Sequence, residues 1–269
     1  MIWHTKSGYI AIDDTRMYYV RFGHGNKTLA IIPGLSDGLT MVKGKALLLA
    51  LPYRRYLNDY TIYMFSRKEP MHQGYTIRDM ADDLAYAISQ LGLSQVDWLG
   101  VSEGGMITQC MAIDHPELVR RLVLAVTAPC VNDVIRERIN DWTNYAKHRQ
   151  HKQLMIDTAE YSYSKGYLEK YRLIYPVIGL IGRPKSYQRL MVNMGAIMGF
   201  DAANQLSQIH CPTLIIGGEE DQIVGVEASL QLHDGIDNSE LYLYQGLGHG
   251  AYEEAADFND RVFDFLNQE

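Results

Sequence analysis

Val96-Asp97-Trp98-Leu99-Gly100-Val101-Ser102-Glu103-Gly104-Gly105 runs from a short apolar stretch into a serine hemmed by glycines. Val96 to Val101 has the length and apolar content of a buried strand. Met106 to Asp114 reads as a helix, with Met106, Ile107, Cys110 and Met111 at helical spacing. Ser102 therefore falls where strand turns into helix. So sharp a turn strains the serine backbone and crowds the positions two residues either side, and Gly100 and Gly104 clear that space. The hydroxyl then projects from the sheet edge, beside a helix N-terminus that favours negative charge. A glycine-rich turn without chemistry reads the same way in isolation, so the rest of the chain has to decide.

Upstream, Tyr9 to Asp13 and Met17 to Phe22 alternate as two antiparallel strands joined at Asp13-Asp14. Thr28 to Ile32 is a continuous apolar run, as expected of a buried parallel strand, and it ends in Pro33-Gly34-Leu35-Ser36-Asp37-Gly38. Gly44 to Leu57 reads as a helix interrupted at Pro52, and Tyr60 to Phe65 as a strand. Tyr75 to Leu91 has a strong helical period through Ile77, Met80, Ala81, Leu84, Ala87, Ile88 and Leu91, and Gly92 stops it.

Downstream, Leu122 to Val126 is the next strand. Pro129 to His210 then holds no clear buried strand, over a length far beyond the usual connection of about 4–6 residues. It reads as helices at 132–148, 153–164, 166–175 and 185–198, a helical cap inserted between two core strands. The sheet resumes at Thr213 to Ile216. A helix near Val226 to His233, a strand at Glu240 to Tyr244 and a helix from Tyr252 to Asn267 follow. Strands alternating with helices imply an α/β chain with a mostly parallel central sheet covered on both faces.

The bulk properties narrow the class. The 269 residues suffice for one α/β domain with an insertion, and 47% hydrophobic content is ordinary for a globular chain. A net charge of −7 argues against general nucleic-acid binding. No secretory h-region opens the chain and no apolar run is long enough to span a bilayer, which points to a cytoplasmic protein without a membrane partner. Cys110, Cys130 and Cys211 are odd in number and irregular in spacing, as for free thiols, and no metal-ligand spacing is evident. Cys130 follows the carboxyl end of one strand and Cys211 precedes the amino end of the next. That is a strand length of about 17–20 Å, too far for a disulfide.

Gly100 to Gly104 resembles the nucleophile elbow of the α/β-hydrolases, and the resemblance covers nearly the whole chain. It implies an α/β-hydrolase fold, with core parts at residues 1–128 and 211–269 and a helical cap at 129–210. It also implies the chain order serine, acid, histidine, here Ser102, Asp221 and His249. Such a set answers a chemical need: a serine hydroxyl is a weak nucleophile and requires a base held in the right tautomer by a carboxylate. His249 lies in Gly246-Leu247-Gly248-His249-Gly250, between the last strand and the last helix. Glu219, Glu220 and Asp221 are the acid candidates, and similarity to the superfamily's glycine-then-aspartate segment selects Asp221. By the same resemblance the backbone N–H groups of Leu35 and Glu103 form the oxyanion hole, although Pro33-Gly34 stands where His-Gly is common.

The expected function is a carboxylesterase-type serine hydrolase acting on a small ester or related acyl substrate through an acyl-enzyme, with no cofactor and no metal. The oligomeric state is left open. The same three residues suit C–C bond hydrolysis or a perhydrolase side activity. A ligand-binding receptor on the hydrolase fold is the rival from another class, and the intact triad speaks against it. Residues 129–210 hold 11 Lys and Arg against 7 Asp and Glu, with 7 of the 19 tyrosines. A basic, aromatic lid would suit an aromatic or acid-bearing substrate; tyrosines packing the cap beneath solvated charges are the plainer expectation. The Glu103 side chain is expected to point away from the nucleophile, solvated or paired with Lys or Arg.

Overall fold

The computed structural model describes residues 2–180 and 182–268. Eight strands are present: Lys6–Ile12 (β1), Thr15–Gly23 (β2), Lys27–Ile32 (β3), Tyr60–Glu69 (β4), Val96–Val101 (β5), Val119–Ala125 (β6), Thr213–Gly218 (β7) and Ser239–Tyr244 (β8). They form one sheet in the order β1-β2-β4-β3-β5-β6-β7-β8. The β1–β2 and β2–β4 pairs are antiparallel, and every pair from β4–β3 to β7–β8 is parallel.

Alternation along the strands sorts side chains between two cores. On β3, Leu29 and Ile31 join one apolar cluster while Ala30 and Ile32 join the other; on β6, Val123 and Leu124 divide likewise. The first core is closed by helices Ala46–Ala50 (α1) and, at the chain's end, Phe258–Leu266 through Val262 and Phe265. The second is closed by Ile77–Gln90 (α2) and Glu103–Asp114 (α3). Thr76 caps α2 with a reciprocal capping box to Asp79.

Between β6 and β7 the chain forms Asp133–Lys147 (α4), His151–Ser162 (α5), Lys165–Tyr171 (α6), Tyr175–Ile178 (α7) and Gln188–Met198 (α8). Ile135, Ile139, Trp142, Leu190 and Met194 from this inserted helical region extend the second core. The two ends of the insertion meet: Cys130 and Asp201 form an isolated antiparallel bridge, and Ala202 N–H donates to the Pro129 carbonyl at 2.8 Å. Val226–Gly235 (α9), Ala251–Glu254 (α10) and Phe258–Leu266 (α11) complete the fold.

Several boundaries differ from the sequence expectation. The helix expected at 44–57 shrinks to α1 and a single turn at Arg54–Tyr56. The one expected at 166–175 breaks into α6, a turn at Arg172–Ile174 and α7, where Pro176 occupies the first turn and its missing N–H is harmless. The final helix is split because Ala255 is extended and Asp257 is drawn to β8, accepting from the Tyr244 hydroxyl at 2.9 Å. Strand β4 runs four residues past Phe65, to Glu69. α3 starts at Glu103 and is buried on every side through Ala112, not along one face. Cys110, Cys130 and Cys211 are free thiols. Among the described residues no helix is long and apolar enough to cross a membrane.

Candidate active site

Ser102 occupies the β5–α3 junction with φ 54° and ψ −119°, a conformation that costs about 1–3 kcal/mol for a residue with a side chain. Close packing holds it there. A Cβ on Gly104 would stand 2.0 Å from the Ile32 carbonyl oxygen, and one on Gly100 would stand 2.2 Å from Thr108 Oγ1. Ser102 N–H donates to the Ala125 carbonyl at 2.9 Å, and the Thr127 hydroxyl donates to the Ser102 carbonyl at 2.7 Å. The strained turn is thus pinned to β6 and cannot relax without dismantling the sheet edge.

The loops after β7 and β8 bring two more side chains to the hydroxyl. His249 Nε2 lies 3.0 Å from Ser102 Oγ, and His249 Nδ1 lies 2.8 Å from Asp221 Oδ2. The other Asp221 oxygen accepts the backbone N–H groups of Ile223 at 2.8 Å and Val224 at 2.9 Å. Burial alone would raise the Asp221 pKa, but His249 and these two backbone donors outweigh it and hold the carboxyl below its usual value. An ionised Asp221 fixes the ring proton on Nδ1 and leaves Nε2 free to accept from the serine. Glu219 and Glu220, the other acid candidates, are exposed.

Leu35 and Glu103 each open a helical turn, at Leu35–Gly38 and at α3, so their N–H groups have no partner within those turns. Both residues line the cavity that contains Ser102 and His249. The Pro33-Gly34 departure is accommodated: a Cβ on Gly34 would lie 3.1 Å from the Ser102 Cβ, so the loop runs against the nucleophile.

The Glu103 side chain pairs with an arginine, as expected, but it is not solvated. Its carboxylate is fully buried, with Oε2 3.0 Å from Arg67 Nη2 at the end of β4. Neither oxygen has a hydrogen-bond partner among the described residues. Burial raises its pKa; Arg67 opposes this, Asp37 adds to it, and the net shift is upward. Asp37, also buried, accepts the Arg67 backbone N–H at 3.0 Å and is paired with Arg189 of α8. The sequence reading missed Asp37, Arg67 and Arg189. The available signal was a charged residue in register with the buried positions of β4; the partner on α8 is 152 residues from Asp37 and carries no local mark.

The cavity beside Ser102 measures about 180 Å³. Its wall is mostly apolar, with Leu39, Met106, Ile139, Trp142, Met194 and Ile223 among the lining residues. Arg138 of α4 also lines it, but this guanidinium is already held by Glu137 at 2.5 Å and Asp141 at 3.4 Å, and lies over the Tyr161 ring. Among the described residues no three His, Cys, Asp or Glu side chains converge as metal ligands.

The family described as alpha/beta hydrolase fold matches residues 62–256. The chain is 28% identical to the 2-hydroxy-6-oxononadienedioate/2-hydroxy-6-oxononatrienedioate hydrolase 2 of Pseudomonas putida, over 94% of this chain and 92% of that protein. It is 26% identical to a putative carbamate hydrolase, RutD, of Rhizobium rhizogenes, over 77% of this chain and 83% of that one. Among solved structures, an alpha/beta hydrolase enzyme from a Medee basin deep-sea metagenome library superposes with a TM-score of 0.82, 20% identity and coverage of 97% and 98%.

Proposed function

The chain belongs to the alpha/beta hydrolase fold family, and on that premise we propose that it is a serine hydrolase cleaving a small, uncharged ester through an acyl-enzyme. The observation that carries this is the hydrogen-bonded line from Ser102 Oγ through His249 to Asp221, with steps of 3.0 and 2.8 Å. In the mechanism His249 Nε2 takes the serine proton as Oγ attacks the carbonyl carbon. Asp221 steadies the imidazolium that forms, and the oxyanion is received by the N–H groups of Leu35 and Glu103. His249 returns its proton to the departing alkoxide; water, activated the same way, then releases the acid and frees Ser102. The chemistry asks for no metal and no cofactor.

The cavity supports the substrate class. A cleft of about 180 Å³ beside the nucleophile is close to the roughly 150 Å³ that accepts benzene in an engineered apolar cavity, which favours a small acyl group. The inserted helices supply much of its apolar wall, with Ile139, Trp142 and Met194 among the lining residues, and we assign them, residues 129–210, as the specificity-bearing cap. Arg138 is compensated by Glu137 and Asp141, so a substrate carboxylate would be desolvated there without a free cation to receive it. This favours neutral esters over acid-bearing ones and over the dioate substrates in the name of the Pseudomonas putida relative.

Two measurements on the purified protein test the reading together: labelling of Ser102 by a fluorophosphonate, and turnover of p-nitrophenyl esters from acetate to decanoate beside matched carboxylate-bearing esters. The expected result is labelling that Ser102→Ala abolishes, with turnover highest on short neutral chains. Labelling without turnover of any ester would shift the assignment to C–C hydrolysis or a receptor.

A further inference from the structure

Arg189 is the one side chain on α8 that grips the catalytic face of the core through its whole head group. A guanidinium has five N–H donors in a fixed fork, and all five have acceptors here. Nε donates to the Asp37 carbonyl at 3.1 Å. Nη1 donates to the Lys68 carbonyl at 2.8 Å and to the Glu69 carboxylate at 2.9 Å. Nη2 donates to the Asp37 carboxylate at 2.5 Å and to the Arg67 carbonyl at 2.9 Å. The acceptors belong to two segments only: the turn Leu35–Gly38 and the carboxyl end of β4.

Both segments bear on the proposed oxyanion donors. Asp37 lies in the same four-residue turn whose first N–H is that of Leu35. Arg67, whose own carbonyl Arg189 holds, reaches the carboxylate of Glu103, the residue carrying the other N–H. A second contact shows how tightly α8 sits on this turn: a Cβ on Gly38 would stand 2.9 Å from Leu190 Cα and 3.1 Å from Asn193 Nδ2. The contact leaves no room for a methyl group, so α8 and the turn move together or separate.

From this geometry we infer that Arg189 is a positioning residue that couples the seating of the inserted helical region to assembly of the oxyanion hole. With α8 seated, Arg189 fixes Asp37 and the β4 end, and through them the two N–H groups; with α8 lifted, the Leu35 turn loses its anchor and the hole is incomplete. The insertion then does more than shape the cavity: it sets whether a bound ester turns over. The inference rests on the serine-hydrolase reading of Ser102, Leu35 and Glu103.

The test compares wild type with Arg189→Met, Arg189→Lys and Gly38→Ala on p-nitrophenyl acetate, with fluorophosphonate titration counting competent sites. Losing one oxyanion donor lowers rate by about 10²–10³, and a loosened one by less. Arg189→Met is therefore expected to lower kcat per titrated site by about 10- to 100-fold with KM changed less than about threefold. A trifluoromethyl ketone, which forms a tetrahedral adduct on the serine, should lose affinity by the same factor as kcat/KM. Arg189→Lys keeps the charge but not the fork, so most of the loss should remain; Gly38→Ala should give the same kcat-selective pattern. An unchanged kcat per titrated site in Arg189→Met, or full activity in Arg189→Lys, overturns the inference. A wild type that neither labels nor hydrolyses the ester would instead remove the serine-hydrolase reading beneath it.

Discussion

Two buried carboxylates flank Ser102, and they are held in opposite ways. Asp221 accepts two backbone N–H groups and the His249 ring, and its pKa is drawn down despite burial. Glu103 faces a full guanidinium at 3.0 Å, accepts no hydrogen bond among the described residues, and its pKa is pushed up. Both carboxylates face a basic partner, His249 for Asp221 and Arg67 for Glu103; Asp221 adds hydrogen bonds from His249 and two backbone N–H groups, whereas Glu103 has the Asp37 carboxylate nearby. On the proposed mechanism, the carboxylate that must stay negative is held by an imidazole and two backbone N–H groups, and the one that braces a loop is held by an ion pair.

The largest way to break this contrast is on the Asp221 side. Asp221→Asn keeps the size of the side chain but favours the wrong imidazole tautomer, and kcat on a short ester should fall by about 10⁴; steady-state kinetics normalised by titrated sites measures it. On the other side, Arg67→Met strands Glu103 in the interior, while Asp37 keeps its pair with Arg189. Breaking one half of a buried pair typically destabilises by about 3–5 kcal/mol. Denaturant unfolding at pH 8 should show that loss, and Arg67→Met combined with Glu103→Leu should recover part of it.

Proton linkage sharpens the comparison further, because the two groups have opposite signs. The folded pKa of Asp221 lies below its unfolded value. Its contribution to stability is complete above the unfolded value of about 3.9 and is lost as pH falls through the folded one. The folded pKa of Glu103 lies above its unfolded value. Stability attributable to it therefore declines as pH rises from about 4.3 until the folded group has ionised. The stability difference between wild type and Asp221→Asn should thus grow in favour of wild type as pH rises across the carboxylate range, and that between wild type and Glu103→Gln should move against it. Parallel slopes in the two unfolding series would show that both sites are held alike. The smallest effect expected is on activity in Glu103→Gln: a loss under about tenfold between pH 6 and 9, since the backbone donor survives and the amide can still contact Arg67.

The fold was legible because its decisive signals are local. Alternating or continuous apolar runs marked all eight strands, and Gly100 and Gly104 marked the turn that their missing side chains allow. Asp221 and His249 were legible through a family likeness in short segments beside strand ends. The boundaries that failed lie where tertiary contacts outweigh helical period: Asp257 is pulled toward β8, and the 172–178 segment, exposed except at Tyr175 and Ile178, turns twice within seven residues. Asp37, Arg67 and Arg189 were invisible for a related reason. Each is an ordinary polar residue in its own stretch, and the fork of Arg189 acquires meaning only when chain folding brings α8 over a loop far away in sequence. The basic excess of residues 129–210 likewise loses its force at Arg138, whose neighbours on the same helix already neutralise it.

The bridge between Cys130 and Asp201 bears on inheritance. The insertion leaves and re-enters the core through one doorway, closed by backbone contacts between Pro129, Cys130, Asp201 and Ala202. Lengthening or shortening such a closed excursion changes its closure entropy only logarithmically. Residues inside the doorway can therefore drift, expand or be exchanged as a block while Ser102, Asp221 and His249 stay where they are. On the proposed reading, the insertion carries substrate preference and the core carries the hydrolytic residues, with one condition attached: whatever replaces the block must again bring a five-donor head group to Asp37 and the end of β4.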